Sequence, residues 1–297
     1  MNSNRSGVFL AIATFLIWGL SPIYFNALEG VQPVEIVAHR VVWSVILIIV
    51  ILLGIRRAAV IIEVLKNRRT MLVLVATGFA VGFNWFIYIW SVTHGYILQA
   101  SLGYYINPLV SVVLGVWFLS EKHGRWQWAA VGLACIGVMN MIISTGTVPW
   151  ISLALAISFG IYGLLRKVLP VGALEGLLVE TLFYLPFALI YLGWLQNTGV
   201  GYFGSSLNMT VLLIFSGIIT TVPLVMFTAA AKRLRLGTLG FLQFIAPTCQ
   251  FALAVFVYGE EFSQDHLITF GFIWAALGLY SFGTFTQSHA AEPLNDR

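Results

Sequence analysis

The chain has 297 residues, of which 60% are hydrophobic, 14% aromatic and 9% charged, with a mean hydropathy of +0.94; an ordinary soluble domain carries roughly 25% charged residues. A surface that poor in charge excludes a water-soluble globule and fits a chain whose solvent is lipid.

Charged and polar interruptions leave ten apolar stretches, near 7–25, 33–54, 70–91, 98–119, 126–143, 148–166, 174–195, 209–230, 236–258 and 267–286. Most approach the ~20 residues that a helix needs to cross ~30 Å of hydrocarbon. Nothing left over is long enough for a soluble domain. Arg5 precedes the first apolar run as it does in a signal peptide, but the run is long and no small-residue cleavage pattern follows between Asn26 and Gly30, so helix one is expected to be retained. Cys135 and Cys249 fall inside predicted spans and read as buried small apolar side chains.

With the N-terminus in the cytoplasm, the inside segments hold Arg5; Arg56, Arg57, Lys66, Arg68 and Arg69; Lys122 and Arg125; Arg166 and Lys167; Lys232, Arg233 and Arg235; and Arg297. That is every Lys and Arg except Arg40, which lies within a span. The split follows the positive-inside rule and predicts both termini in the cytoplasm. The net charge of +4 is then a topology signal, and nucleic acid is not an expected partner. The basic loop at 55–69 suffices as a topology lock, and the last residues, HAAEPLNDR, read as a short solvated tail.

Sliding the sequence by 139 positions brings Gly78 onto Gly217, Tyr88 onto Phe227, Tyr105 onto Phe244, Ile106 onto Ile245, Pro108 onto Pro247, Leu114 onto Leu253 and Glu121 onto Glu260; a shift of 141 brings Trp18-Gly19 onto Phe159-Gly160. This predicts a duplication, with repeats at 1–146 and 147–297. Five helices per repeat is an odd number, so the second copy must enter the membrane inverted. Two inverted halves can exchange conformations around a midplane site, which makes transport the default expectation.

Polar residues recur at i, i+4, i+7 in four helices: Thr14, Trp18 and Ser21; Asn84, Tyr88 and Ser91; Tyr104, Pro108 and Ser111; Gln243, Pro247 and Gln250. Each set shares a helix face. Single Ser and Thr residues fit the hydrogen-bonding glue of membrane bundles, whereas the large amphipathic groups Asn84/Tyr88 and Tyr104/Gln243 suit a ligand cavity. The helix-four and helix-nine sets are expected to meet across the pseudo-two-fold axis. Pro22, Pro108, Pro186, Pro223 and Pro247 also fall inside spans, where each frees a carbonyl one turn back. Such carbonyls need a protein partner or a wet cavity. Two small-residue pairs, Gly78/Gly82 and Gly271/Ala275, suit close helix contact, within the bundle or between protomers.

His39-Arg40 lies about seven residues into helix two and Glu180 about seven into helix seven from the opposite side. At 1.5 Å per residue, these near-equivalent sites are roughly 10 Å deep on different sides of the midplane, so a direct pair is not required. An arginine there can snorkel to the headgroups, and a buried glutamate tends toward its neutral form unless paired. If coupling is to protons, Glu180 is the better candidate, since arginine does not switch charge.

The strings EIVAHRVVWS at 35–44, FLIWGLSPIYF at 15–25 and GYYINPLVSVVLGVWFLSEK at 103–122 resemble the RarD-type permeases of the EamA branch of the drug/metabolite transporter superfamily. The resemblance implies an all-α polytopic membrane protein of ten transmembrane helices in two inverted five-helix repeats, placed in a bacterial inner membrane. It also implies export of small metabolites or drugs, and the name of the type is tied to chloramphenicol. By the same likeness, helices one, three, four, six, eight and nine surround the cavity, and Trp18, Asn84, Tyr88, Tyr104, Tyr105, Tyr162 and Gln243 are candidate solute contacts. The second copy has Gln243 and Ala246 where the first has Tyr104 and Asn107, so an asymmetric cavity is expected.

The expected function is therefore secondary transport of a small amphipathic solute, neutral or zwitterionic and partly aromatic, by alternating access. An amino-acid exporter is the alternative within the class. A membrane-embedded enzyme is a distant second class, because paired acids, an activated nucleophile or clustered metal ligands are not seen and the five histidines are scattered. No cofactor or metal is expected. No phosphate-binding loop points to ATP-driven pumping.

Overall fold

The computed structural model describes residues 3–56, 64–120, 124–231, 233–234 and 242–290. Glu121, the basic residues Arg57, Lys122, Lys232, Arg235 and Arg297, the start of the ninth predicted span and the tail from 291 lie outside the described residues.

Among the described residues ten helices follow one another: α1 (Ser3–Asn26), α2 (Pro33–Gly54), α3 (Arg68–Thr93), α4 (Ile97–Leu119), α5 (Arg125–Thr145), α6 (Trp150–Val168), α7 (Ala173–Thr198), α8 (Leu207–Ala231), α9 (Ile245–Ala252, continued by a π-turn at Leu253–Val257) and α10 (Gln264–Ala290). Among the described residues, nine are long and apolar enough to cross a membrane, and the ninth in order, Ile245–Val257, is shorter. Eight of the predicted spans match a long helix to within a few residues at most ends, and α10 starts and finishes a little beyond its prediction. The ninth span was expected as one helix over 236–258. Instead the chain turns at Gln243–Phe244, and Pro247 sits in the first helical turn of α9, where its missing N–H has no intrahelical partner to lose. The expectation that Pro247 breaks a mid-span helix is corrected accordingly. Pro22, Pro108, Pro186 and Pro223 do lie inside helices.

The helices pack in related pairs: α4 on α6 and α1 on α9; α1 on α8 and α3 on α6; α2 on α8 and α3 on α7. Three further pairings, α2 with α7, α4 with α9 and α5 with α10, join the first five helices to the last five. Glycines allow the closest approaches. A Cβ at Gly19 would lie 2.7 Å from the Cβ of Cys249, one at Gly160 would lie 2.9 Å from Val110 Cγ1, and one at Gly217 would lie 2.6 Å from the Trp43 carbonyl carbon. The Gly78/Gly82 pair faces α7 within the bundle, with Tyr184 filling the notch at Gly82. A Cβ at Gly271 would meet nothing within 4 Å among the described residues. Cys135 is exposed on α5 rather than buried, and Cys249 is half-buried against α1.

The bundle has two unlike ends. One holds the start of α1 together with Arg56, Lys66, Arg68, Arg69, Arg125, Arg166, Lys167 and Arg233. At the other, carboxylates tie connections to helix starts: Glu35 accepts from Tyr202 N at 2.7 Å, and Glu260 accepts from Ile97 N at 2.6 Å and Leu98 N at 2.8 Å.

Candidate functional site

The polar faces of α1 and α3 meet α9 at the centre of the bundle. Pro22 removes the donor that would have reached the Trp18 carbonyl, and that carbonyl accepts instead from Ser21 Oγ at 2.7 Å and Gln250 Nε2 at 3.3 Å. The same Ser21 Oγ lies 2.8 Å from the Tyr88 hydroxyl, which also accepts from Gln250 Nε2 at 3.2 Å. The carbonyl that Pro22 leaves open is thus satisfied by side chains of α1 itself and of α9, as bilayer depth requires. The Trp18 ring points away from this joint and packs on Phe15 and Phe227.

One turn along α3, Asn84 Nδ2 donates to Ser158 Oγ at 2.9 Å and to the Leu155 carbonyl at 3.1 Å, and its Oδ1 faces the Tyr104 hydroxyl at 3.4 Å. Tyr88 and Tyr104 contact edge to face at 5.6 Å, and Tyr104 reaches Phe159 at 6.2 Å. Asn84, Tyr88 and Tyr104 therefore form one cluster lined by α1, α3, α4, α6 and α9. Below Tyr104 the same α4 face runs through Pro108 and Ser111 into a cleft of about 310 Å³ at the basic end, which Gly160, Lys167 and Tyr280 also line.

The other predicted site residues are dispersed. Tyr105 turns to the α4–α9 joint, with its hydroxyl 2.7 Å from Thr248 Oγ1 and its ring against Phe244 and Phe270. Ser101 Oγ donates to the Pro247 carbonyl across the same joint at 2.8 Å. So α4 and α9 do meet, but through Ser101 and Tyr105 rather than through the Tyr104 and Gln243 faces, which sit about 100° further round. Gln243 occupies the turn before α9, where its carbonyl receives Ala246 N at 3.3 Å.

Tyr162 belongs to a second centre. It stands beside Glu180, whose Oε1 accepts from Thr77 Oγ1 at 2.6 Å and lies 3.7 Å from Arg166 Nη1. Sequence reading missed Arg166 as a partner because the last turn of a helix and a basic loop look alike when charges are sorted by side of the membrane. The 139-residue shift carried the signal for Thr77: it falls on Ser216, in the α8 segment beside Arg40.

Arg40 does not snorkel. Its side chain turns into the bundle, where Nε donates to Thr220 Oγ1 at 2.7 Å and the guanidinium lies 4.4 Å from the Trp85 ring centroid. This brings α2 to the central cluster, beyond the six helices expected. His39, roughly a quarter-turn away, stacks on Phe203 at 5.0 Å and faces a separate cleft of about 490 Å³ between α2 and α7. That cleft is the larger, but it is peripheral and touches none of the Asn84–Tyr88–Tyr104 side chains; the polar centre, not the volume, marks the candidate site.

A many-helix bundle with hydrogen-bonding side chains gathered at membrane depth defines a multi-pass membrane protein built around a polar core. Residues 5–143 match the EamA-like transporter family. An uncharacterized transporter of Vibrio cholerae serotype O1 is 48% identical over 97% of this chain and 95% of its own. Protein RarD of Escherichia coli (strain K12) is 44% identical over 93% of this chain and 94% of its own. The chloramphenicol-sensitive protein RarD of Pseudomonas aeruginosa is 31% identical over 93% and 94%. A solved protein crystal structure shares the fold at a TM-score of 0.60 and 16% identity, covering 94% of this chain and 98% of that one. The chain belongs to the EamA-like transporter family, as a RarD-type permease.

Proposed function

We propose that the chain is a secondary carrier that moves a small amphipathic metabolite or drug across a bacterial inner membrane by alternating access, with the Asn84–Tyr88–Tyr104 cluster as its solute site. The carrying observation is that cluster: amphipathic side chains from separate helices converge at bilayer depth, and the α4 face continues from it into the cleft at the basic end. Ties by Glu35 and Glu260 at the opposite end, with a cleft at the basic end, are what a carrier needs to expose its site to one side at a time.

In this reading residues 1–146 and 147–297 are inverted repeats, supported by the related packing pairs and by Gly19 on Cys249 beside Gly160 on Val110. Under the 139 shift Val110 falls on Cys249. The basic end faces the cytoplasm, with both termini. Pro22, Pro108 and Pro223 supply bending points, and Pro247 fixes the start of α9. Trp18, Tyr105, Tyr162 and Gln243 surround the path without joining the central cluster. Glu180 is the candidate for proton coupling.

The test is counterflow in proteoliposomes over a panel of amino acids, nucleosides and phenylpropanoid-type drugs, which is expected to give saturable exchange. Normal exchange by both Tyr88→Ala and Tyr104→Ala would move the site elsewhere. Exchange confined to amino acids would select the amino-acid exporter reading.

A further inference from the structure

Arg40 is 8% exposed and lies about seven residues from the start of α2, roughly 10 Å into the hydrocarbon. Among the described residues no carboxylate lies within ion-pair distance of it. Glu180, the acid at comparable depth in α7, is engaged by Arg166 and Thr77. Besides Thr220, the hydroxyls of Tyr24, Tyr88 and Tyr104 lie near enough to the guanidinium to interact with its charge. Two of them donate elsewhere, Tyr24 to the Leu212 carbonyl at 2.7 Å and Tyr104 to Asn84 Oδ1 at 3.4 Å, while Tyr88 is shared between Ser21 and Gln250.

An ionised group taken out of water without a counter-charge is among the costliest placements in a bilayer. The ring faces of Trp85 at 4.4 Å and Phe25 at 5.6 Å return part of that cost through cation–π attraction. The remaining charge needs an anion. With Nε held by Thr220, the Nη1/Nη2 edge remains as a planar two-donor fork, whose spacing matches the two oxygens of one carboxylate. Beside it, the Trp85 ring under the guanidinium and the Tyr88 and Tyr104 rings, in contact at 5.6 Å, supply an apolar surface for a flat body. The hydroxyl on Thr220 passes its own proton to the Ser216 carbonyl at 2.8 Å, so its lone pair stays aimed at Nε and fixes the fork.

We infer that the solute of this carrier is an organic monoanion, a carboxylate on a flat apolar body, whose carboxylate is received by the Arg40 fork and whose body lies on the Trp85, Tyr88 and Tyr104 rings. The inference rests on the transport reading and narrows its substrate class. Arg40 acts as a fixed receptor, because a guanidinium keeps its proton, and the solute supplies the missing negative charge on binding.

The test uses the full chain and four aromatic acids (benzoate, phenylacetate, 3-phenylpropionate and indole-3-acetate), each against its primary amide at neutral pH. Thermal melting of the purified protein and counterflow in liposomes are read in parallel. The expected result is stabilisation by at least one acid and not by its amide, with exchange favouring that acid by about tenfold or more. In Arg40→Gln the acid-to-amide ratio should fall close to one, and Arg40→Lys, which keeps the charge but not the fork, should retain part of it. If Arg40→Gln does not fold, the wild-type melting shift decides alone. Equal stabilisation or exchange of acid and amide overturns the anion assignment and leaves transport standing, and so does stabilisation by none of the acids. Stabilisation by an acid with no exchange of any solute keeps the anion site and overturns the transport reading.

Discussion

Gln250 Nε2 stands 3.2 Å from the Tyr88 hydroxyl, so α9 is joined to α3 through a side chain that also satisfies the carbonyl released by Pro22 in α1. Gln250→Leu removes both contacts and is expected to cost about 1 kcal/mol per hydrogen bond. The loss should appear as a lower melting temperature in detergent together with weaker exchange. Unchanged melting and exchange would separate this joint from the working site.

Tyr88→Ala and Tyr104→Ala should each weaken exchange of every accepted solute, since both remove ring surface from the same cluster. Tyr105→Ala should act differently. Its ring and hydroxyl serve the α4–α9 joint, so the expected signature is lost stability of about 3 kcal/mol or more without altered preference among solutes. Competition assays beside melting curves distinguish the two patterns.

Glu180→Gln should flatten the pH dependence of uptake if protons drive the carrier, while keeping the Thr77 hydrogen bond available to the amide oxygen. Arg166→Gln, which removes the facing charge at 3.7 Å, is expected to displace the same pH profile. Proton-dependent uptake that is identical in Glu180→Gln and wild type would remove this carboxylate from coupling.

Glu260, in the connection before α10, is held above the usual carboxylate range because burial outweighs the two backbone hydrogen bonds it accepts. A group whose pKa is higher in the folded than in the unfolded chain stabilises the fold most at low pH and loses that contribution as pH rises through the folded value. The stability of wild type relative to Glu260→Gln should therefore fall between about pH 4 and neutrality. Melting temperatures of both proteins across that interval check the sign. Glu260→Ala, which strips the start of α4 of its acceptor, is expected to cost about 1 kcal/mol.

Gly217→Val would bring a side chain to within 2.6 Å of the Trp43 backbone. Overpacking of this kind costs about 1–3 kcal/mol. Gly271→Val, which meets open space, should be tolerated, and folded yield in detergent reads the contrast.

The bundle was legible in the sequence because its two strongest signals, long apolar runs and basic connections, act over whole segments. Helix α9 escaped that reading. Hydropathy registers 236–258 as one run, whereas the turn at Gln243–Phe244 is set by local backbone geometry that Pro247 begins rather than interrupts. At the site, the i, i+4, i+7 spacing correctly placed Asn84 and Tyr88 on one face. It could not say which neighbour that face meets, so Tyr104 found Asn84 and Phe159 rather than Gln243. The direction of Arg40 was not legible for a related reason: depth in a helix follows from residue number, but inward or outward direction depends on where Trp85 and Thr220 stand on other helices.

Helices α5 and α10 lie along each other and contribute nothing to the Asn84–Tyr88–Tyr104 cluster. In the alternating-access reading they would form a mast at the edge of the bundle, since moving parts need something that stays put. A covalent staple between positions 137 and 272, where a Cβ added to Gly137 would lie 3.0 Å from the Phe272 Cβ, would then tie the mast to itself while leaving solute exchange intact.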